Sequence, residues 1–252
     1  MSRPLVLVSN DDGYRSHGVQ ALREALGRIA EVVVCAPEIE QSATSHSLSV
    51  HRPLRLFRRE DRLFSVDGTP ADCVYVALYG DRKVLPRAPD LVVSGVNHGV
   101  NLGDDVFYSG TIAAAREAAL KGIASIAVST PFNADTRVAA ELATKLAELL
   151  LERNERRALL LNVNVPKPWH GGVRATRLGR RLYQDDVDFR RDPRGREYMW
   201  IGGAGYEHPP LAGSDTEAFD AGTATITPLS LDLWAPHEAA FVEELAPRLS
   251  RA

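Results

Sequence analysis

A chain of 252 residues with 44% hydrophobic and 25% charged residues is long enough to bury a sizeable core and has the make-up of an ordinary soluble globular protein. Its formal net charge of −3 gives no electrostatic basis for a nucleic-acid polymer as partner, which requires a basic excess. Cys35 and Cys73, the only cysteines, sit in apolar surroundings without paired spacing, which argues against both a disulfide framework and a zinc knuckle.

Residues 5–8 (LVLV) form a continuous β-prone run, the pattern of a strand covered on both faces. The run is short and meets Asn10-Asp11-Asp12-Gly13 at once, so it reads as neither signal peptide nor membrane span; no membrane partner and a cytoplasmic location are expected. Val19, Leu22, Leu26 and Ile29 then recur at helical spacing, and residues 31–36 (EVVVCA) read as a second buried strand. A right-handed crossover makes these two strands parallel. Residues 48–56 alternate loosely and are expected as an edge strand or hairpin, and 71–79 as a helix. The pattern resumes with a strand at 90–94, a helix at 112–121, a strand at 123–129, an amphipathic helix at 138–151 and a strand at 159–165. After Pro166, residues 174–206 are rich in Arg, Asp and Gly and hold no sustained period, as in an arm that packs on a partner chain. A strand at 224–233 and a helix at 236–249 close the chain. The expected fold class is α/β: a doubly wound, mostly parallel sheet in one domain over 1–252. Its core covers about 1–166, and an extension of arm, strand and helix covers about 167–252.

Open α/β sheets bind ligands beyond the carboxyl ends of their strands. The segments at those ends are Asn10-Asp11-Asp12-Gly13, then Pro37-Glu38-Ile39-Glu40-Gln41-Ser42, then GVNHGVNLGDDVFYSGT over 95–111. The first has the residue types of turns and helix caps, but a turn needs one such residue rather than four. Two ionised carboxylates at a sheet rim repel unless a cation lies between them. Oxygen donors without His or Cys suit a hard cation such as Mg²⁺, Mn²⁺ or Ca²⁺. Asn97 and Ser42 offer a carbonyl and a hydroxyl oxygen to complete the shell, although the loop of Ser42 also offers Glu38, Glu40 and Ser45. Ser109-Gly110-Thr111, just ahead of a helix, combines a cap with free N–H groups at the positive end of the helix dipole, a ready anion site. A cation and an anion site on one sheet point to phosphoryl chemistry or phosphate binding. The glycine-rich stretch 95–103 lacks the Gly-Lys-Ser/Thr ending of a Walker A loop and is not the dinucleotide fingerprint. Within it, Asn97 is assigned to the metal and Asn101 to phosphate. His46 and His98 read as exposed loop histidines, and Asp104-Asp105 and Asp185-Asp186-Val187-Asp188 as solvated acidic runs.

Taken together, "SNDDG", "APEIEQSA", "VDGTPADCV", "VSGVNHGVNLGDDVFYSGTIAAAREA", "SIAVS", "LNVNVP" and "GSDTEAFDAGTATITPL" resemble, in order, the SurE family of survival proteins, which are nucleoside 5′-monophosphate phosphatases. The resemblance implies a Rossmann-like core and one Mg²⁺ or Mn²⁺ per subunit, with the family's metal ligands falling on Asp11, Asp12, Ser42 and Asn97. It also implies a phosphate-contacting region at Asn101, Ser109, Gly110 and Thr111, and a homodimer or homotetramer whose C-terminal segments are exchanged between subunits. Some members also cleave 3′-nucleotides or short polyphosphate. Here residues 14–18 read Tyr-Arg-Ser-His-Gly where the family usually has Pro before that Gly, so Arg15 and His17 bear on which nucleotide is preferred. The expected reaction is phosphomonoester hydrolysis with Asp11 and Asp12 as the catalytic carboxylates. The adjacent pair lacks the Asp-x-Asp spacing of aspartate-nucleophile phosphatases, which favours attack by water. The alternative is a non-catalytic phosphate-binding or receiver-like signalling domain, but Asp90 begins its strand rather than ending it, and the strand at 123–129 is followed by no Lys. A nicotinamide-dependent oxidoreductase is disfavoured by the missing glycine fingerprint.

Overall fold

The computed structural model describes residues 3–153, 157–183, 187–202 and 205–249. Every side chain of β1 (Leu5–Ser9) is buried, as an uninterrupted apolar run requires when helices cover both faces of a sheet. α1 (His17–Leu26) starts where the Ser16 hydroxyl accepts from Val19 N, and it buries Val19, Leu22 and Leu26 completely. Each of those three contributes about 1.5–3 kcal/mol by leaving water. β2 (Glu31–Pro37) pairs parallel with β1, with Val6 opposite Val32. β3 (Leu56–Glu60) and β4 (Leu63–Val66) form an antiparallel hairpin, and β4 joins β2 in parallel.

α2 (Pro70–Tyr79) opens on a capping box in which Thr69 and Asp72 satisfy each other's backbone donors. It is followed by β5 (Leu91–His98), α3 (Gly110–Leu120), β6 (Ser125–Thr130), α4 (Thr136–Glu152) and β7 (Leu160–Asn164). The C-terminal part supplies β8 (Val173–Ala175), β9 (Leu182–Tyr183), β10 (Val187–Arg191), β11 (Glu197–Ile201), β12 (Tyr206–Glu207), α5 (Asp215–Asp220), β13 (Ala224–Pro228) and α6 (Ala239–Leu249).

The main sheet has the order β3-β4-β2-β1-β5-β6-β7-β13-β8 and is parallel from β4 through β7. α1 packs with α4, and α2 with α3, over two separate apolar clusters. From β1 the chain builds the sheet outward through β2 on one side, then returns to build the other side from β5. The strand order therefore reverses at β1 and β5, and the crevice lies beyond their carboxyl ends. This is the doubly wound sheet expected from the alternating runs, and it is Rossmann-like, as the family resemblance implies.

Residues 48–55 differ from expectation: they form no strand, and the hairpin lies at β3–β4 instead. Side chains take the backbone donors there, since Ser49 N donates to Asp72 Oδ1 at 2.9 Å and Arg55 N to Asp67 Oδ1 at 2.7 Å. The arm is also more regular than its sequence. It contains the antiparallel pairs β10–β11 and β9–β12. β13 enters antiparallel beside β7 and stops at Pro228, earlier than the apolar run to Leu233 indicates. Among the described residues, no helix is long and apolar enough to cross a membrane.

Candidate active site

β1 delivers Asp11 and Asp12 to the sheet rim through a turn held by Asn10, whose Nδ2 donates to Gly13 O at 3.0 Å and Ser16 Oγ at 2.8 Å. Asn10 is thus the turn residue, which releases the two acids for other work. Asp11 is 4% exposed; its Oδ1 accepts from the Thr111 hydroxyl at the start of α3. Burial pushes its carboxyl up to about 6, against the pull of the Thr111 side-chain and backbone donors, and the Asp12 charge adds to the rise. Asp12 is half-buried, with Oδ2 accepting from His98 N at 3.3 Å; burial raises its carboxyl as well.

β5 brings Asn97 to the same rim. Its pairing with β6 shifts register between Ser94 and Asn97, a bulge that re-aims the strand end. α1 crosses this bulge so closely that a Cβ on Gly18 would lie 1.9 Å from Val96 O, so only glycine fits there. Asn97 Nδ2 donates to Gly99 O at 2.7 Å, which leaves Oδ1 as the acceptor available to a cation. Ser42 is exposed on the loop after β2, with its hydroxyl donating to Glu40 Oε1 at 2.8 Å.

Asp11, Ser42, Asn97, Asn101 and Ser109 line one cleft of about 870 Å³, with Tyr108, Phe132, Tyr183 and Tyr206 among its walls. Ser109 Oγ accepts from Ile112 N at 3.1 Å, so its own proton is free to donate into the cleft. Asp12, Gly110 and Thr111 are not among the residues lining this cleft. Gly110 is needed for Asp11: a Cβ there would sit 2.9 Å from Asp11 Cβ and 3.2 Å from Oδ2. The Asp11 carboxylate therefore sits against the start of α3, where it accepts from the Thr111 hydroxyl.

Two carboxylates, an amide oxygen and a hydroxyl make an all-oxygen donor set. A buried acid with a raised pKa next to a second acid is a site whose charge a dication relieves, so the residues present fit a hard cation. The raised Asp11 pKa fixes the sign of a pH effect. The folded protein holds a proton that the unfolded chain releases near pH 4, so metal-free stability is fully present below about pH 4 and falls as pH rises through about 6. Asp12 and Asp215 act in the same direction. Thermal melts in chelator across pH 4–7 are expected to show this decline, with a smaller one in Asp11→Asn; an unchanged slope in the variant would contradict it.

Asn162 and Asn164 of β7, which hold Asn101 in place, carry no label in the sequence. Asn101 is clamped by β7: its backbone N donates to Asn164 Oδ1 at 2.8 Å, and its carbonyl accepts from Asn162 and Asn164 Nδ2 at 2.8 and 2.9 Å. Its own Nδ2 donates to Ser129 Oγ at 2.8 Å. The available signal was two amides alternating on one face of the apolar strand "LLLNVNV".

Asp105 corrects an expectation. It is buried, not solvated, and accepts from Arg181 Nη1 and the Tyr183 hydroxyl, each at 2.7 Å. Arg181 in turn stacks 4.0 Å over the Tyr206 ring. Asp104 is half-buried in a pair with Arg180. His46 is likewise half-buried, not exposed, with Nε2 2.9 Å from Glu117 Oε2. His98 is half-buried on the cleft wall. Asp215, fully buried, accepts from Gly103 N, Gly179 N and Thr216 N, so it ties the extension to the loop ahead of Ser109. Asp185 and Asp186 lie outside the described residues, while Asp188 pairs with Arg190 at 2.6 Å.

A doubly wound sheet with an acidic pair, an amide and a helix start gathered at its switch point defines an α/β protein with a small-ligand crevice. The family model described as "Survival protein SurE" matches residues 6–185. The chain belongs to the SurE survival protein family. A protein named 5′-nucleotidase SurE from Sorangium cellulosum (strain So ce56) is 58% identical over 98% of each chain. One of the same name from Geobacter sulfurreducens is 47% identical over 90% of this chain and 88% of its own. The crystal structure of SurE protein from Aquifex aeolicus matches with a TM-score of 0.83 at 37% identity, covering 96% of this chain and 100% of its own.

Proposed function

We propose that the protein hydrolyses nucleoside monophosphates to nucleoside and phosphate, with one divalent cation, Mg²⁺ or Mn²⁺, held in each subunit by Asp11, Asp12, Ser42 and Asn97. The observation that carries this reading is the nearly buried Asp11 carboxyl, raised to about 6 beside a second carboxylate at the sheet's switch point. The relatives' name, 5′-nucleotidase, supports a nucleotide as substrate. When bound, the dication supplies neutralisation of phosphate charge and Lewis acidity.

The chain's own groups do the rest. Ser109 donates its hydroxyl proton to a phosphate oxygen, and the N–H of Gly110 adds the partial positive charge of the helix start. Asn101 and Thr111 frame that contact, because the Asn101 amide donor serves Ser129 and the Thr111 hydroxyl serves Asp11. The Thr111 bond restrains Asp11 in place, which supports a carboxylate that orients water over one that attacks phosphorus. The aromatic walls leave room for the rest of the ester. Phosphate release from a panel of nucleoside 5′- and 3′-monophosphates and short polyphosphate, with Mg²⁺, Mn²⁺ or chelator, tests this. Release only with metal is expected; equal release in chelator would contradict it.

The same reading includes a homodimer or a homotetramer built from it. An isolated two-stranded hairpin is marginal in water. β10–β11 nonetheless exposes Phe189, Trp200 and Ile201, and α6 has no buried residue while exposing Phe241, Val242 and Leu249. Sedimentation at micromolar concentration is expected to give a dimer mass or twice that, and a monomer would refute the assembly.

A further inference from the structure

Glu117 lies on α3, 3% exposed, two turns behind the helix start that faces the cleft. A carboxylate so deeply placed is costly unless fully partnered. Its Oε1 has Lys121 Nζ at 3.5 Å and no hydrogen bond among the described residues, while Oε2 meets His46 Nε2 at 2.9 Å. His46 stands four residues after Ser42, on the loop that leaves β2. That loop is strained at two non-glycine residues in the left-handed region, Ala43 at φ 56 and Ser45 at φ 52. Such conformations persist only where the surroundings over-determine them.

The surroundings here are specific. Gln41 N donates to Asp11 O at 2.8 Å, Ser45 N to Tyr108 O at 3.0 Å, and Ser45 Oγ to Phe107 O at 2.6 Å. Thr69 Oγ1 donates to Ser47 O at 2.7 Å. The loop is therefore laced both to the turn bearing Asp11 and to the segment that ends in Ser109. The His46–Glu117 contact adds an anchor to a carboxyl group buried on α3.

We propose that Glu117 and His46 are a positioning pair: the buried carboxylate holds the imidazole, and through it the strained loop that presents Ser42 at the mouth of the Asp11–Asn97 cleft. Neither residue is among those lining the cleft. The inference rests on the metal-dependent reading above for its consequence, but its structural part stands apart from that reading.

The test uses the full-length protein and the variants His46→Ala, His46→Gln and Glu117→Gln. Amide hydrogen exchange is measured in chelator, and Mn²⁺ affinity by calorimetry. His46→Ala is expected to speed exchange over residues 42–47 by about tenfold or more, the effect of losing one hydrogen bond to a charged group. Mn²⁺ binding is expected to weaken by about tenfold, as for other groups that support metal ligands. His46→Gln, which keeps an N–H donor of similar reach, is expected to recover much of both. Exchange and affinity that stay at wild-type values in His46→Ala would overturn the proposal, as would a Gln variant no better than Ala. His46 sits on the solvent side of the pair, so its variants remain informative if Glu117→Gln folds poorly. If the wild type binds no Mn²⁺, the metal reading fails, while the exchange comparison still decides the role of the pair.

Discussion

Asp11→Asn is expected to yield a protein that is more stable and nearly inactive. The Asn side chain has the same shape and can still accept from the Thr111 hydroxyl, so the local fold is kept. What it removes is the negative charge. Burial raises that carboxyl from the usual range to about 6, which corresponds to about 3 kcal/mol of destabilisation above pH 6 in the absence of metal. Relieving it should raise the melting temperature measured in chelator at neutral pH. Activity should fall by about a hundredfold or more, the scale seen when one preorganised electrostatic group is removed from an active site. Stability gained where function is lost is the mark of a site held in tension for chemistry. A variant with unchanged stability and unchanged phosphate release would mean that Asp11 is only part of a turn.

Gly110→Ala is the second large effect, and two opposing terms decide its sign. Helix propensity alone favours Ala over Gly by about 1 kcal/mol in a helix interior, and less at a first helical position. Against this, the new methyl would sit 2.9 Å from Asp11 Cβ and 3.1 Å from Pro70 Cγ. Overpacking of this kind costs about 1–3 kcal/mol, so a net loss of stability is expected. The neighbour forced to yield is Asp11, and a displacement near 1 Å at a reacting centre costs roughly a hundredfold in rate. Denaturant melts and steady-state kinetics on the variant check both parts. A stable and fully active Gly110→Ala would show that Asp11 has room to move without consequence.

The parts of this molecule governed by local pattern were readable from its residues. Leu5 to Val8, the 19-22-26 spacing and the strand "EVVVCA" define a parallel crossover whatever lies further along the chain. The rule that ligands sit beyond strand ends then places Asp11, Ser42 and Asn97 on one rim, and the cleft does contain all three.

What escaped depends on partners far away in sequence. Nothing around Asp105 distinguishes it from a solvated turn until Arg181 and Tyr183 arrive from the arm. His46 resembles any loop histidine until α3 places Glu117 beneath it. Residues 48–55 alternate like a strand, yet Asp67 and Asp72 take backbone donors that a sheet would need. Gly110 stands in a segment that reads as an open anion site, and only the fold shows that its missing Cβ makes room for Asp11. In each case a side chain from elsewhere outbids the local tendency.

The central claim is that the tandem acids after β1 hold a dication. Anomalous diffraction from crystals grown with Mn²⁺, collected on wild type and Asp12→Asn, tests it most directly. The account predicts one strong peak per subunit in wild type, within coordination distance of Asp11, Asp12 and Asn97 oxygens, and a weak or absent peak in the variant. Empty density between those side chains in the wild type, with Mn²⁺ ordered elsewhere or nowhere, would contradict it.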